Sequence, residues 1–213
     1  MLNRPEILAP AGGPEALEAA LRSGADAVYL GGHAFNARRS AAGFDEAALG
    51  QAVRDCHLRG VRVYLTLNTI VYDDELQAAA DFLYQAACLG VDAVIVQDMG
   101  IARLAREIAP GLRLHASTQM TVHTPAGVRL LRDQGFSRVV LAREMAAKEV
   151  AEAARVPGVE TELFVHGALC MSVSGQCYFS SMLGCRSGNR GLCAQPCRLP
   201  FSAEGAANGR PCL

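Results

Sequence analysis

Short apolar runs alternate with longer amphipathic segments along most of the chain. The runs are rich in Val, Leu and Ala, and seven of them stand out: EILAPA (6–11), AVYLGG (27–32), RVYLTLN (62–68), AVIVQD (93–98), RLHASTQ (113–119), RVVLAR (138–143) and ELFVHG (162–167). Parallel strands that are covered on both faces have this near-continuous apolar character. Helical spacing between the runs is clearest at 14–22, 45–59, 73–89 and 145–155. The pattern predicts seven strands that alternate with helices.

Three junctions resemble one another and indicate a repeated unit. SGADAVYLG (23–31), LGVDAVIVQ (89–97) and QGFSRVVLA (134–142) each place a glycine after a predicted helix and before a predicted strand. Glycine at this place supplies the left-handed conformation with which many helices end. A repeated unit of strand and helix makes the sheet parallel.

Two architectures satisfy a parallel βα repeat, a closed eight-stranded barrel and an open, doubly wound sheet. The first turn, LAPAGGPEA, lacks the G-x-G-x-x-G spacing of dinucleotide-binding sheets. We therefore predict an α/β fold of the TIM-barrel type. A complete barrel takes about 250 residues, so we expect the barrel to be incomplete at the C-terminus and the chain to be truncated. Residues 1–169 are assigned to barrel units, and 170–213 to a Cys-rich segment and the start of the remainder.

Composition limits the class of protein without giving a function. The chain is 51% hydrophobic and 19% charged, with a formal net charge of −1, which favours a packed domain and gives no overall nucleic-acid signature. The N-terminus lacks the basic and apolar regions of a signal peptide, and no run is long enough for a membrane span. We expect a cytoplasmic protein, in which clustered cysteines bind metal or do redox chemistry more often than they form disulfides.

Polar residues follow the predicted strands, where a barrel carries its chemistry. Any one of them has a structural alternative, because Asp98 and Glu144 can cap helices and Asn68 can hold a turn. Their shared position at one rim makes a site plausible, with Asn68, Gln119, Arg143 and His166 as candidates for catalysis. The full rim comprises Asn36, Asn68, Gln97, Asp98, Ser117, Gln119, Arg143, Glu144 and His166.

Five of the eight cysteines lie between His166 and Arg198. The gaps of seven and sixteen residues that separate Cys170, Cys177 and Cys193 suit a loop wrapped around an iron–sulfur cluster. Structural zinc sites draw on tighter pairs, so zinc is the weaker alternative, kept open by Cys193 and Cys197; reduced, unligated thiols are a third possibility. Cys56 and Cys88 fall in predicted helices and are assigned to packing.

The Cys-rich segment is also basic. No Asp or Glu occurs from 163 to 203, whereas Arg186, Arg190 and Arg198 do. The simpler interpretation is that these arginines bind nearby backbone or acidic groups. The alternative is a patch for an anionic ligand.

ELFVHGALCMSVSGQCYFSS, followed by GNRGLCAQPCR, resembles the characteristic segment of the collagenase-like peptidase family U32. EILAPAGGPEALEAALRSGADAVYLGG and HASTQMTVHTPAG are similar to other parts of that family. The resemblance implies an incomplete or irregular β/α barrel. It also implies a 4Fe–4S cluster and a part in oxygen-independent hydroxylation of transfer RNA, ribosomal RNA or the ubiquinone ring, despite the family's peptidase label.

Matched residue by residue, the resemblance implies Cys170, Cys177 and Cys193 as cluster ligands. Cys197 is the nearby substitute for a fourth ligand, with Cys212 as the other choice, and Cys185 lies outside the pattern. Neither H-E-x-x-H nor G-x-S-x-G occurs, so a peptidase would need an unidentified catalytic group. Three hypotheses remain: an RNA hydroxylation enzyme with a small-molecule cosubstrate, a collagenase-like peptidase, and a binding module that acts with a partner barrel subunit.

Overall fold

The computed structural model describes residues 4–32, 34–37, 43–167 and 169–201 of the 213-residue chain. All seven strands of these residues form one parallel sheet, in which spatial order follows chain order. The strands are β1 (Leu8–Ala11), β2 (Ala27–Gly31), β3 (Arg62–Leu67), β4 (Ala93–Val96), β5 (Arg113–Ala116), β6 (Arg138–Val140) and β7 (Glu160–Glu162). The sheet curls into an incomplete barrel of the TIM type, as the sequence predicts.

Helices follow the strands and begin and end where local sequence requires. Pro14 opens the first helix, and Asp45 caps the second through the amide of Ala48. The three junction glycines, Gly24, Gly90 and Gly135, have φ angles of 79°, 79° and 82°. The helices are α1 (Pro14–Arg22), α2 (Glu46–His57), α3 (Leu76–Leu89), α4 (Met99–Ile108), α5 (Pro125–Asp133), α6 (Ala147–Ala153) and α7 (Phe179–Gly184).

The main hydrophobic core lies between the sheet and its helices. Alternate strand residues such as Val28, Val63 and Val94 are fully buried there, because successive side chains of a strand point to opposite faces. The opposite, inner face holds a second and much smaller apolar cluster, built on Ala27, Tyr64, Ala93 and Ile95. The inside of the barrel is therefore filled largely by polar groups.

Arg138 is the centre of that polar interior. Its side chain is 6% exposed and reaches Glu6 at 2.7 Å, Glu160 at 2.5 Å and Glu162 at 3.3 Å, while its guanidinium lies 5.0 Å from the ring centre of Tyr64. Glu6 precedes β1, and the two other glutamates belong to β7. One guanidinium thus connects both edges of the open sheet.

The pKa values of two carboxyl groups beside Arg138 shift in opposite directions. Burial disfavours the charge of Glu6, but hydrogen bonds and charge from Arg138 outweigh it, so the pKa of Glu6 lies below its ordinary value. Burial raises the pKa of Glu162 despite the same guanidinium. Glu6 lies closer to Arg138, at 2.7 Å against 3.3 Å for Glu162, and it also interacts with Tyr64 and Arg62. Glu162 instead has the like charges of Glu6 and Glu160 beside it.

The seventh predicted strand is displaced. ELFVHG (162–167) was expected to form it, but β7 covers Glu160–Glu162, and Leu163, Phe164 and Val165 are 43%, 46% and 93% exposed. Arg138 binds both glutamates of β7. The ion pairs therefore account for a strand at 160–162, and the apolar residues that follow it are not part of the strand. No helix in the described part of the chain is long and apolar enough to cross a bilayer.

Replacing Arg138 tests this interior. Arg138→Ala removes the cation that pairs with the partly buried Glu162 and leaves Glu6 with Arg62 as its arginine partner. It is expected to lower the free energy of unfolding by about 3–5 kcal/mol. Denaturant titration measures the change. Arg103→Ala is the control, because the pair of Arg103 with Glu107 is exposed and contributes at most about 1 kcal/mol. Equal effects of the two substitutions would contradict the central role of Arg138.

His115 makes stability depend on pH. Burial, then Arg138, Arg113 and Arg62, lowers the pKa of its imidazole from 6.5 to about 3. Below pH 6.5 the unfolded chain protonates His115, whereas in the folded chain His115 stays neutral until the pH nears 3. The free energy of unfolding therefore decreases as the pH falls from 6.5 towards 3. The slope is about 1.4 kcal/mol per pH unit.

We expect His115→Phe to remove that slope. The difference in unfolding free energy between variant and wild type should therefore change steadily from pH 6.5 to 4.5, measured by denaturation at several pH values. His166→Gln, at an exposed position, should leave the wild-type slope intact. Parallel curves for His115→Phe and wild type would show that the buried imidazole does not control this pH range.

Candidate functional site

Several uncharged polar side chains lie at the mouth of the barrel. Asn68 follows β3, and its side-chain oxygen accepts a 2.9 Å hydrogen bond from the amide of Ala37. Ser117 follows β5, is 1% exposed, and accepts a 3.2 Å hydrogen bond from the amide of Gln119. Asn36, beyond β2, is buried and donates to the carbonyl of Gly32. The Asn68 bond therefore joins the loop after β3 to the loop after β2, and it is not a bond within a turn of its own.

Two amides in the strand-end loops are incompletely bonded. The side-chain oxygens of Gln97, after β4, and Gln119, after β5, are shielded from solvent and accept no hydrogen bond from the described residues. A buried acceptor without a donor is costly, and in native proteins it signals a bound partner or a functional role. A ligand with hydrogen-bond donors would satisfy both groups.

Asp98 is a helix cap. Its carboxylate accepts hydrogen bonds from the amides of Gly100 at 2.7 Å and Ile101 at 3.3 Å, at the start of α4. The structural alternative for Asp98 is therefore confirmed. Glu144 does not cap a helix, because α6 begins at Ala147 and Glu149 closes its first turn instead.

Glu144 binds the Cys-rich segment. One of its oxygens accepts from the Ser174 amide at 2.7 Å, and both approach the Ser174 hydroxyl, at 3.1 and 3.2 Å. Arg143 Nε lies 3.1 Å from the same hydroxyl. Burial opposes the charge of Glu144, but the Ser174 bonds and Arg143 hold its pKa below the ordinary value. Two neighbouring rim residues are thus joined to one serine.

A second contact lies on the loop after β5. Thr121 donates to the Ser174 carbonyl at 2.6 Å and receives a 2.9 Å bond from the Gln176 side chain. His123 completes the group, with Nδ1 2.9 Å from the Thr121 carbonyl and Nε2 3.4 Å from Glu144. Sequence reasoning missed His123 and Thr121, although both follow closely after the β5 rim residues.

Arg190 attaches the segment to the loop after β3. Its guanidinium binds both oxygens of Glu75, at 2.7 and 2.5 Å, and the Ile70 carbonyl at 2.6 Å. It also stacks over the ring of Tyr72 at 4.3 Å. A cavity of about 70 Å³ lies beside this contact, lined by Ala34, Phe35, Thr69, Glu75 and Arg190.

The other two arginines bind backbone within the segment. Arg186 donates to the carbonyl of Leu192 at 3.1 Å, and Arg198 to that of Leu169 at 2.7 Å. All three arginines thus bind backbone or acidic groups, as the simpler interpretation expects, but Arg190 is the one that pairs with a carboxylate here, whereas Arg186 and Arg198 bind carbonyls, which carry no charge. Both Arg186 and Arg198 are exposed.

The cysteines of the segment are free thiols at the surface. Cys170, Cys185 and Cys193 are exposed, Cys177 and Cys197 are half-buried, and Cys56 is buried in α2, as expected. Cys88, assigned to packing, is exposed on α3 and corrects that assignment. Cys212 lies outside the described residues.

The donors fit a sulfur-ligated group by type. Five thiols occur within the 28 residues from Cys170 to Cys197, and Cys193 Sγ accepts a 3.3 Å hydrogen bond from the amide of Gln195, the kind of contact that tunes cluster thiolates. The Arg198 bond to Leu169 brings the chain beside Cys197 to the chain beside Cys170. Across the described ranges, however, no three Cys, His, Asp or Glu side chains are grouped for metal binding. His166 is exposed beyond β7.

The sequence is similar to a known protein family and to several of its members. The model of "Peptidase family U32" matches residues 12–210. The chain is 42% identical to the 23S rRNA 5-hydroxycytidine C2501 synthase of Escherichia coli, over 95% of this chain and 30% of that protein. It is 36% identical to the tRNA hydroxylation protein P1 of Bacillus subtilis, over 93% and 47%. It is also 36% identical to a collagenase of Porphyromonas gingivalis, over 98% and 52%.

The chain thus spans about half or less of the length of these relatives. Among solved structures, a U32 peptidase superposes with a TM-score of 0.63 at 16% identity, over 75% of this chain and 68% of that one, which supports the fold. With nearly its whole length matched by the family model, the chain belongs to peptidase family U32.

Proposed function

We propose that this chain is the barrel and Cys-rich part of an RNA hydroxylation protein that works with a 4Fe–4S cluster. The observation that carries the proposal is the docking of the Cys-rich segment on the strand-end loops. Ser174 holds it beside Gln119, whose amide oxygen is buried and accepts no hydrogen bond from the described part of the chain. Relatives named for tRNA and rRNA hydroxylation match over nearly the whole chain.

Cys170, Cys177 and Cys193 are the proposed ligands, with Cys197 as the fourth. Such a cluster supplies one-electron transfer when bound. Zinc is the weaker alternative, because the first three cysteines lack the tight pairing of structural zinc sites. The Gln195 amide would stabilise the Cys193 thiolate through the hydrogen bond that the sulfur already accepts.

The neutral side chains of the mouth suit an uncharged polar group. Gln97 and Gln119 would each accept a hydrogen bond from it, and Asn68 lies on the neighbouring strand end. Ser174 contacts the Nε of Arg143, and the terminal nitrogens of that guanidinium would bind a carboxylate of a small cosubstrate. A nucleobase in the mouth and a carboxylate at Arg143 together form the proposed ligand set.

RNA backbone would contact the exposed part of the segment. Arg186 and Arg198 lie there without neighbouring acids in sequence, and cations at such positions bind phosphate with loss of affinity at high salt. Arg190 is excluded from this role, because Glu75 already neutralises it and its side chain is only 16% exposed.

A collagenase-like peptidase is the second candidate. The collagenase relative matches 98% of this chain. The geometry gives it less support, because Ser174 is fully buried and bonds to Glu144, whereas His123 contacts only Glu144 and Thr121 in the described part of the chain. A serine nucleophile instead needs a base within hydrogen-bond reach.

The cluster is tested by anaerobic purification. We expect iron and sulfide in near-equal amounts and a brown protein with broad visible absorbance. Cys170→Ala, Cys177→Ala or Cys193→Ala should abolish both, because each removes a thiolate, while Cys185→Ala is the matched control and should retain them. Stoichiometric zinc without iron would contradict the cluster.

The RNA substrate is tested in a deletion strain. We expect nucleoside mass spectrometry of its transfer and ribosomal RNA to show the loss of a hydroxylated nucleoside. Wild type and Cys185→Ala should restore it, and Cys177→Ala should not. A gelatin-cleavage assay on the same anaerobic protein is the parallel measurement. Unchanged RNA with metal-independent cleavage of gelatin would favour the peptidase.

A further inference from the structure

Ser174 is a fully buried polar residue in a segment whose side chains are mostly exposed. Its relative exposure is 0%, whereas Met171, Tyr178 and Met182 are 60%, 61% and 83% exposed. Every polar group of Ser174 is engaged by the barrel: its amide by Glu144, its hydroxyl by Glu144 and Arg143, and its carbonyl by Thr121. Ser174 is therefore the place where this stretch of the segment is fixed to the rim.

The next residue, Gly175, packs so closely against the barrel that no side chain fits there. Its φ is +76°, and a Cβ there would lie 2.2 Å from the main-chain oxygen of Gln119. Both the left-handed backbone and the close approach require glycine. Any side chain at this position must push the segment away from the loop after β5.

Gln119 touches the Cys-rich segment through its main chain and has a buried side-chain acceptor. Gly175 packs on its main chain, while its side-chain oxygen is buried and has no donor among residues 4–32, 34–37, 43–167 and 169–201. A ligand that bonds to this amide would restrain the same short turn on which the segment rests. Ser174 lies between Cys170 and Cys177, so restraint of Ser174 also limits the positions of both thiols.

We propose that Ser174 and Gly175 are positioning residues that couple ligand binding in the barrel mouth to the order of the Cys-rich segment. The proposal rests on the proposed function for the identity of the ligand, RNA. Coupling of this kind is reciprocal: a ligand that restrains Gln119 stabilises the docked segment, and a docked segment favours ligand binding.

Amide hydrogen exchange of residues 169–178 in anaerobically purified full-length protein tests the attachment. We expect Ser174→Ala and Gly175→Ala to raise exchange at least tenfold there and to leave the strands of the sheet protected. Ser181→Ala and Gly184→Ala are matched controls in the same segment, and Gly184 has nothing within 4 Å of an added Cβ. Wild-type exchange in both positioning variants would overturn the proposal.

The coupling is tested by repeating the exchange with total transfer and ribosomal RNA from the deletion strain. RNA should slow exchange at 169–178 in wild type and in the controls, and should have less than half that effect in the positioning variants. Equal protection in all proteins would overturn the coupling. If the deletion strain shows no missing nucleoside, the proposed function fails, whereas faster exchange of ligand-free Ser174→Ala would still establish the attachment.

Discussion

The ion pairs of Arg138 are the interaction on which the barrel depends. The described sheet has seven strands and two free edges, so backbone hydrogen bonds alone do not hold those edges in a curled arrangement. Arg138 bonds to Glu6 before β1 and to Glu160 and Glu162 on β7. A buried guanidinium demands such partners, because an uncompensated charge in this interior is very costly.

The two ends of the barrel therefore differ in chemistry. Near the strand starts, charges are paired and His115 is kept neutral beside Tyr64. Near the strand ends, Arg143 and Glu144 are joined through Ser174. The amide oxygens of Gln97 and Gln119 accept no hydrogen bond from the residues that the structure describes. Paired charges characterise the first end, and buried acceptors characterise the second, which is why the proposed ligand is assigned to the strand ends.

Local features were predictable because neighbouring residues decide them. The strands up to β6, the left-handed glycines after three helices and the Asp98 cap all follow from short sequence patterns. The prediction failed at β7, where apolar character indicated 162–167, because the strand is placed by an ion pair with β6. Glu144 likewise binds Ser174, thirty residues away.

The sequence by itself determined the parallel α/β repeat, the rim positions and the cysteine spacing, since each depends on periodicity or on residue type along the chain. Only the tertiary structure decided which polar groups are already bonded. Arg190 is bound to Glu75, 115 residues away, and Ser174 to Arg143 and Glu144, whereas the Gln119 side-chain oxygen has no partner among the described residues. Hydrogen bonds between distant segments depend on where the folded strands bring their loops, and that placement has no signature in local sequence.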